Sequence, residues 1–335
     1  MSDIGQPSSA RLADVARHAG VSSATVSRAL SRPEMVTEAT RIAVMEAVAA
    51  TGYRVNQAAR NLRKQRTGAI VALVPNLSNP FFARILAGMG QELGAAGYDL
   101  LVGDTRDGGG KHVTLNRFLD PSRADGIILL DGQVTEADLA AVPSAPPLIM
   151  ACEWIRGAAL PRVVLDNASG AEMATRHLLD LGHRRISWIG GPQENVLHGA
   201  RLEGVSRVMG RAPDGYAGDF TLQAGASAAR DWLAQPPSER PTGIVAFSDE
   251  SAAGFMGVLQ RNGVAIPDEV SIVGFDGIDW VAHLAVPLTT VRQPKFRLGQ
   301  TAAQTLLAHM RGKAALSTML MPELVIRESS AAAPG

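Results

Sequence analysis

Between Leu12 and Leu30 the apolar positions follow a helical period that breaks once. Leu12, Val15, Ala16 and Ala19 recur at i, i+3, i+4 and i+7, the spacing of one buried helix face. Gly20 follows, where a sharp turn calls for a positive φ that glycine adopts without a Cβ clash. Ser22 is placed to cap a second helix. In that helix Val26, Ala29 and Leu30 face inward, against Val15 and Val21. Ser22, Ser23, Ala24, Thr25, Ser27 and Arg28 are left on or beside the outer face. Short side chains plus one long donor let a helix backbone approach base edges in a DNA major groove. An ordinary helical hairpin is the alternative.

Thr37 opens a third helix, Glu38 to about Thr51, with Ile42, Met45, Val48 and Ala49 expected on its core face and Gly52 at its end. Asn56 then precedes QAARNLRKQR, a basic stretch with too few apolar residues to hold a short helix by itself. Alone it reads as a linker. Next to DNA, Arg60 and its neighbours can meet phosphate, and Leu62 can wedge between base pairs from the minor groove.

From Ala69 the pattern changes to short continuous apolar runs separated by helical stretches. The runs are Ala69–Val74, Asp99–Val102, Gly126–Leu130, Leu148–Ala151, Arg162–Leu165, Arg185–Ile189, Gly243–Phe247 and Val270–Phe275. Helices are expected near 81–96, 170–181, 200–209, 224–234 and 249–262. This is the signature of an α/β protein with parallel sheets covered on both faces. Ligands on such sheets bind beyond the carboxyl ends of the strands. There the chain places PNLSNPFF after the first strand, GPQEN after Ile189, SDE after Phe247 and DGID after Phe275.

Composition adds three points. The length suits two or three folding units. A single cysteine, Cys152, excludes an intrachain disulfide and reads as a small buried hydrophobe in a chain suited to a reducing cytoplasm. Ten Lys or Arg against five Asp or Glu in residues 1–66 give that segment +5. With zero net charge overall, the remainder carries −5. A basic unit joined to an acidic one implies that only the first meets polyphosphate. No apolar run approaches a membrane span, and residues 1–10 read as a disordered lead-in and not a signal peptide.

Motifs for catalysis fail on inspection. In GDTRDGGGKH the P-loop spacing is wrong and Lys111 precedes His112, where a hydroxyl is required. GMGQELGAAG lies in a helix with the wrong spacing for a dinucleotide turn. No G-x-S-x-G occurs, and His177 and His183 are not spaced as metal ligands. The expectation is no enzyme, no cofactor and no metal.

The words DVARHAGVSSATVSRAL, GYRVNQAARNLR, VPNLSNPFF, ADGIILL, VVLDNASGA, HLLDLGHRRISWIGGP, ARLEG, AFSDESAAG, IPDEVSIVGFDGID and PLTTVRQP, in this order, resemble the LacI family of bacterial transcription regulators. The resemblance covers nearly the whole chain. MACEW, GDFTLQAG and GPQENVLHGARLEG are most similar to the nucleoside-responsive members. It implies a helix-turn-helix domain over 11–55, a hinge helix over 56–66 that inserts Leu62, and an effector-binding and dimerisation domain over 67–330. That domain would hold two subdomains like those of periplasmic sugar-binding proteins: about 68–165 with 293–322, and about 166–292 with 323–330. Crossings fall near 164–166, 290–294 and 321–324. The implied function is a homodimeric, cytoplasmic repressor of a pseudo-palindromic operator under small-molecule control. Val55 departs from the proline that many members carry there.

The effector is expected in a cleft between the subdomains, a nucleoside such as cytidine first and a sugar second. Phe81 and Phe82 supply one aromatic wall, with Phe81 expected as the exposed ring, and Phe220 supplies the other. The resemblance assigns sugar hydroxyls to Arg201, read as opening a helix, and to Asp276. Glu153, Trp154 and Asp249 stand at matching strand ends. Asn195 and Leu197 replace residues that purine-base-responding members use.

Overall fold

A computed structural model describes residues 10–54, 66–105, 115, 117–140 and 145–334. The chain divides into two compact units between Arg66 and Thr67.

The first unit holds helices α1 (Leu12–Ala19), α2 (Ser23–Ser31) and α3 (Glu38–Thr51). Gly20 closes α1 at φ 66° with its N–H on the Ala16 carbonyl. The Ser22 hydroxyl accepts the Thr25 N–H, and the Thr37 hydroxyl accepts the Thr40 N–H. Val15, Ala16, Val26, Ala29, Val44 and Ala47 form the core, with Leu12, Ala19, Leu30 and Val48 packed around it. The face of α3 corrects the expected one. Val44, Ala47 and Val48 turn inward, and Ile42 and Met45 are about half exposed. A helix of 14 mostly apolar and small residues offers more than one stripe, and packing on α1 selected the one with the smaller side chains. Asn56, Arg60 and Leu62 lie outside the described residues.

The second unit is built on two six-stranded sheets. The first has the order β11-β5-β4-β3-β1-β2, from strands β1 (Ala69–Val74), β2 (Asp99–Asp104), β3 (Gly126–Leu129), β4 (Leu148–Ala151), β5 (Arg162–Leu165) and β11 (Thr318–Leu320). The second has the order β12-β10-β9-β8-β6-β7, from β6 (Ile186–Ile189), β7 (Gly215–Tyr216), β8 (Gly243–Ala246), β9 (Ser271–Asp276), β10 (Thr289–Arg292) and β12 (Glu323–Val325). All pairings are parallel except β10 with β12. The chain changes sheet after Leu165, after Arg292 and between Leu320 and Glu323.

Every residue of β1 is buried, because the sheet is covered on both faces. Ile70, Ala72 and Val74 enter the larger core, and Val71 and Leu73 enter a second cluster with Ile127, Leu129 and Met150. Helices α4 (Phe81–Ala95), α5 (Glu136–Ala140) and α10 (Lys295–Met310) belong to the first half. Helices α6 (Asn167–Asp180), α7 (Val196–Met209), α8 (Leu222–Ala234) and α9 (Asp249–Arg261) belong to the second. Strands β7, β10, β11 and β12 and helices α5 and α10 were not expected from the pattern. Helix α6 begins three residues early, at Asn167, and α7 begins at Val196, which moves Arg201 from the first turn into the second.

Candidate effector site and DNA-reading helix

The outer face of α2 is built from its first turn. With Ser22 spent on the cap, Ser23, Ala24 and Arg28 are exposed, and Thr25 and Ser27 are half-buried. The Ser22 and Thr25 hydroxyls lie 2.9 Å apart. Arg17 is paired with Asp14 and Arg41 with Glu38. The Arg28 guanidinium has no partner among the described residues, so it is a free donor on a helix whose small residues permit close approach.

In the second unit a cleft opens at the carboxyl ends of the strands of both sheets, the place parallel sheets offer to ligands. The first half contributes Pro75, Asn76, Asn79, Phe81, Phe82, Cys152 and Glu153. The second contributes Asn195, Leu197, Arg201, Asp219, Phe220, Thr221, Glu250 and Asp276.

Arg201 is the centre of the polar wall. It is 2% exposed, not a surface charge, because α7 starts early enough to turn it inward. Its Nε donates to Asn167 Oδ1 at 3.0 Å, another nitrogen donates to the Phe247 carbonyl, and a third lies 3.6 Å from Asp276 Oδ1. The guanidinium sits 3.8 Å from the centre of the Phe275 ring and 5.7 Å from that of Phe220. Such a cation held by an acceptor, a carboxylate and an aromatic face has one orientation.

Asp276 ends β9 at φ 114°, an uncommon conformation for a residue with a side chain. Gln293 donates to its Oδ1 at 2.8 Å, and Lys295 donates to the Asp276 and Gly277 carbonyls. These two residues follow β10, so the strand that leaves the second sheet locks the turn carrying Asp276. Burial pushes the Asp276 carboxyl up to about 6 against the pull of Arg201 and Lys295.

Glu153 is buried and lines the cleft. Its Oε2 accepts the Gly132 N–H at 2.8 Å and an Asn195 amide N–H at 3.1 Å, and burial pushes its pKa above the ordinary carboxylate value. Asn195 in turn caps α7, accepting the Leu197 N–H. Phe220, at φ 68°, is half-buried in the opposite wall, with its carbonyl accepting from Ser248.

Three expectations are corrected. Phe81 is not exposed: it and Phe82 are each 7% exposed and meet edge-to-face at 5.2 Å, so they form one shared wall. Trp154 does not line the cleft. Its ring packs on the cluster of the first sheet, under the Arg162 guanidinium. Asp249 is fully buried behind the cleft, where it accepts the Ile278 N–H and the Thr290 hydroxyl. Burial and the neighbouring Asp276 push it up to about 8. It holds the turn that carries Asp276 and does not line the cleft. Sequence reasoning missed Asn167, Gln293 and Lys295 as supports, since each reaches its partner across 17 or more residues.

Comparison with known proteins agrees with this architecture. The bacterial regulatory proteins, lacI family, match residues 11–56, and a periplasmic binding protein-like domain matches residues 175–330. The HTH-type transcriptional repressor CytR of Escherichia coli (strain K12) is 35% identical over 338 residues, 98% of each chain. The lac repressor dimer bound to operator and the anti-inducer ONPF is 25% identical with a TM-score of 0.84, covering 97% of this chain and 100% of that one. A LacI family regulator from Enterococcus faecium with bound ribose is 26% identical with a TM-score of 0.71, covering 79% and 99%. The chain belongs to the lacI family and is a DNA-binding transcriptional regulator with a small-molecule-binding domain.

Proposed function

We propose that this regulator is a cytoplasmic homodimeric repressor whose effector is a ribose nucleoside, cytidine foremost, bound through Arg201 and Asp276. The observation that carries the reading is that buried pair in the cleft wall. A guanidinium and a carboxylate side by side supply a donor and an acceptor to adjacent hydroxyls, as a ribose presents them. Phe220 on one side and Phe81 with Phe82 on the other suit a planar base. Glu153 and Asn195 add polar groups beside the aromatic wall. The 35% identity to CytR and the ribose held by the Enterococcus faecium regulator support a ribose-containing ligand. A free sugar is the second reading. A sugar-binding module without regulation is disfavoured by the basic, exposed face of α2.

On DNA, Ser22, Ser23, Ala24, Thr25, Ser27 and Arg28 face the major groove, and Asn56, Arg60 and Leu62 serve the minor groove. Effector binding shifts the operator complex by a coupling of about 1–3 kcal/mol. Calorimetry with cytidine, adenosine, ribose and glucose tests the ligand class. Binding of glucose without any nucleoside removes the nucleoside assignment and leaves the family standing. A circular-permutation gel with Leu62→Ala tests the hinge: undiminished bending removes the wedge.

A further inference from the structure

Glu153 has one carboxylate oxygen committed and one uncommitted. Oε2 accepts two N–H groups, from Gly132 and from Asn195, which use both of its lone pairs. Oε1 has no partner among the described residues. No buried side-chain oxygen lacks a hydrogen bond among them, so Oε1 is an atom that the cleft can reach. Both donors to Oε2 are fixed. Gly132 gives a backbone N–H, and the Asn195 amide is oriented by its own bond to the Leu197 N–H. The carboxyl plane is therefore set before any ligand arrives, with Oε1 as its one free position.

We propose that Glu153 reads the base through Oε1, which donates a proton to an unprotonated ring nitrogen such as cytosine N3 or adenine N1, so that binding these nucleosides takes up a proton. The inference rests on the nucleoside reading of the cleft. In the bound state one proton lies between two acceptors, oxygen and nitrogen, and without it the pair repels. A base that presents a ring N–H, such as uracil, needs the ionised carboxylate at the same position and takes up no proton. The surroundings allow the uptake. Burial raises the carboxyl first, the Asp131 carboxylate adds to this, and Arg201 together with the two N–H donors opposes it. Cys152 beside Glu153 is a buried neutral thiol, and the Asp276 carboxyl faces Arg201.

Glutamine tests the assignment without emptying the site. The donors at Gly132 and Asn195 demand an oxygen at the Oε2 position, so Glu153→Gln must present its NH₂ where Oε1 stood, a permanent copy of the protonated acid. Calorimetry at about pH 6 and about pH 8, in two buffers of different ionisation enthalpy, is the experiment. The wild-type chain takes up protons with cytidine, and its affinity falls by up to about tenfold per pH unit above the carboxyl's pKa. Glu153→Gln binds cytidine with about one proton less taken up than the wild type, any remaining pH dependence belonging to Asp276 and Asp249, and discriminates against uridine more strongly than the wild type does. Cytidine binding by the wild-type chain without proton uptake overturns the assignment and leaves the nucleoside reading intact. So does a Glu153→Gln variant that takes up as many protons with cytidine as the wild type. Binding of a sugar and of no nucleoside overturns both.

Discussion

Arg201 and Asp276 stand 3.6 Å apart in the cleft, with 3% and 8% of their side chains exposed. They come from a helix and a strand end 75 positions apart, and each is held by a third group, Asn167 for the arginine and Gln293 for the aspartate. Such a pair is weak support for stability, since desolvation offsets much of the attraction. Its single orientation is what a binding site requires.

Removal of either partner leaves the other charge buried without its ion-pair partner. Arg201→Ala and Asp276→Ala are each expected to cost at least about 2 kcal/mol in effector affinity. The double variant should lose less than the sum, because both substitutions break the same contact. Calorimetry with cytidine checks this, alongside thermal melts to separate affinity from folding. Additive losses would show that the two residues act on different parts of the ligand.

Asp249 carries a pH dependence of stability. Its carboxyl stands at about 8 in the folded chain, against about 3.9 when unfolded. The folded state therefore holds the proton more tightly. Stability from this group is complete below about pH 4, declines as pH rises, and is fully lost above about pH 8. Asparagine can keep both contacts, accepting the Ile278 N–H and donating to the Thr290 hydroxyl. Asp249→Asn should then match the wild-type melting temperature near pH 4 and exceed it near pH 8, by roughly 2–4 °C for each kcal/mol recovered. A difference that stays constant across pH would show that Asp249 does not titrate in this range.

The strand and helix alternation was legible because a sheet buried on both faces needs continuous apolar runs. Helix α10 was not read, although Leu298, Ala302 and Leu306 recur at i, i+4 and i+8, because it starts after Pro294 without a side-chain cap to announce it. Strands β10 and β12 were not legible: their pairing joins Val291 to Leu324 across the subdomain crossing, and strands of four and three residues carry no period. The aromatic and charged residues of the cleft were found by their strand ends. Their burial was not, because Arg201 is turned inward by the start of α7 at Val196, one turn before the expected start. Asp249 and Asp276 share the same sequence signal, and only their depth separates the support from the residue that lines the cleft.

Gly191 tests the aromatic wall. A Cβ built there would lie 2.0 Å from the Phe220 ring, closer than any real contact. Gly191→Ala must displace the ring from the cleft face. The expected result is a loss of about 1–2 kcal/mol in effector affinity, of the order of a displaced aromatic contact, with Arg201 and Asp276 in place. Operator binding without effector is the control, since the substitution lies in the second unit. Unchanged nucleoside affinity would mean that Phe220 does not stack on the base.

Arg28 is the long donor on the exposed face of α2, and its guanidinium is not drawn into an ion pair with a described residue. Ser23 and Ala24, both small and exposed, let the first turn of the helix approach a groove floor. In that position the guanidinium can reach O6 and N7 of a guanine in the major groove, the geometry of a bidentate arginine contact. Arg28→Ala should cost about 1–3 kcal/mol on the operator and relax selectivity at one base pair, with a much smaller loss on random DNA. Fluorescence anisotropy on both duplexes at fixed salt measures the ratio. Equal losses on the two, with a salt slope reduced by about one, would assign Arg28 to a phosphate and move base reading to Ser23, Thr25 and Ser27.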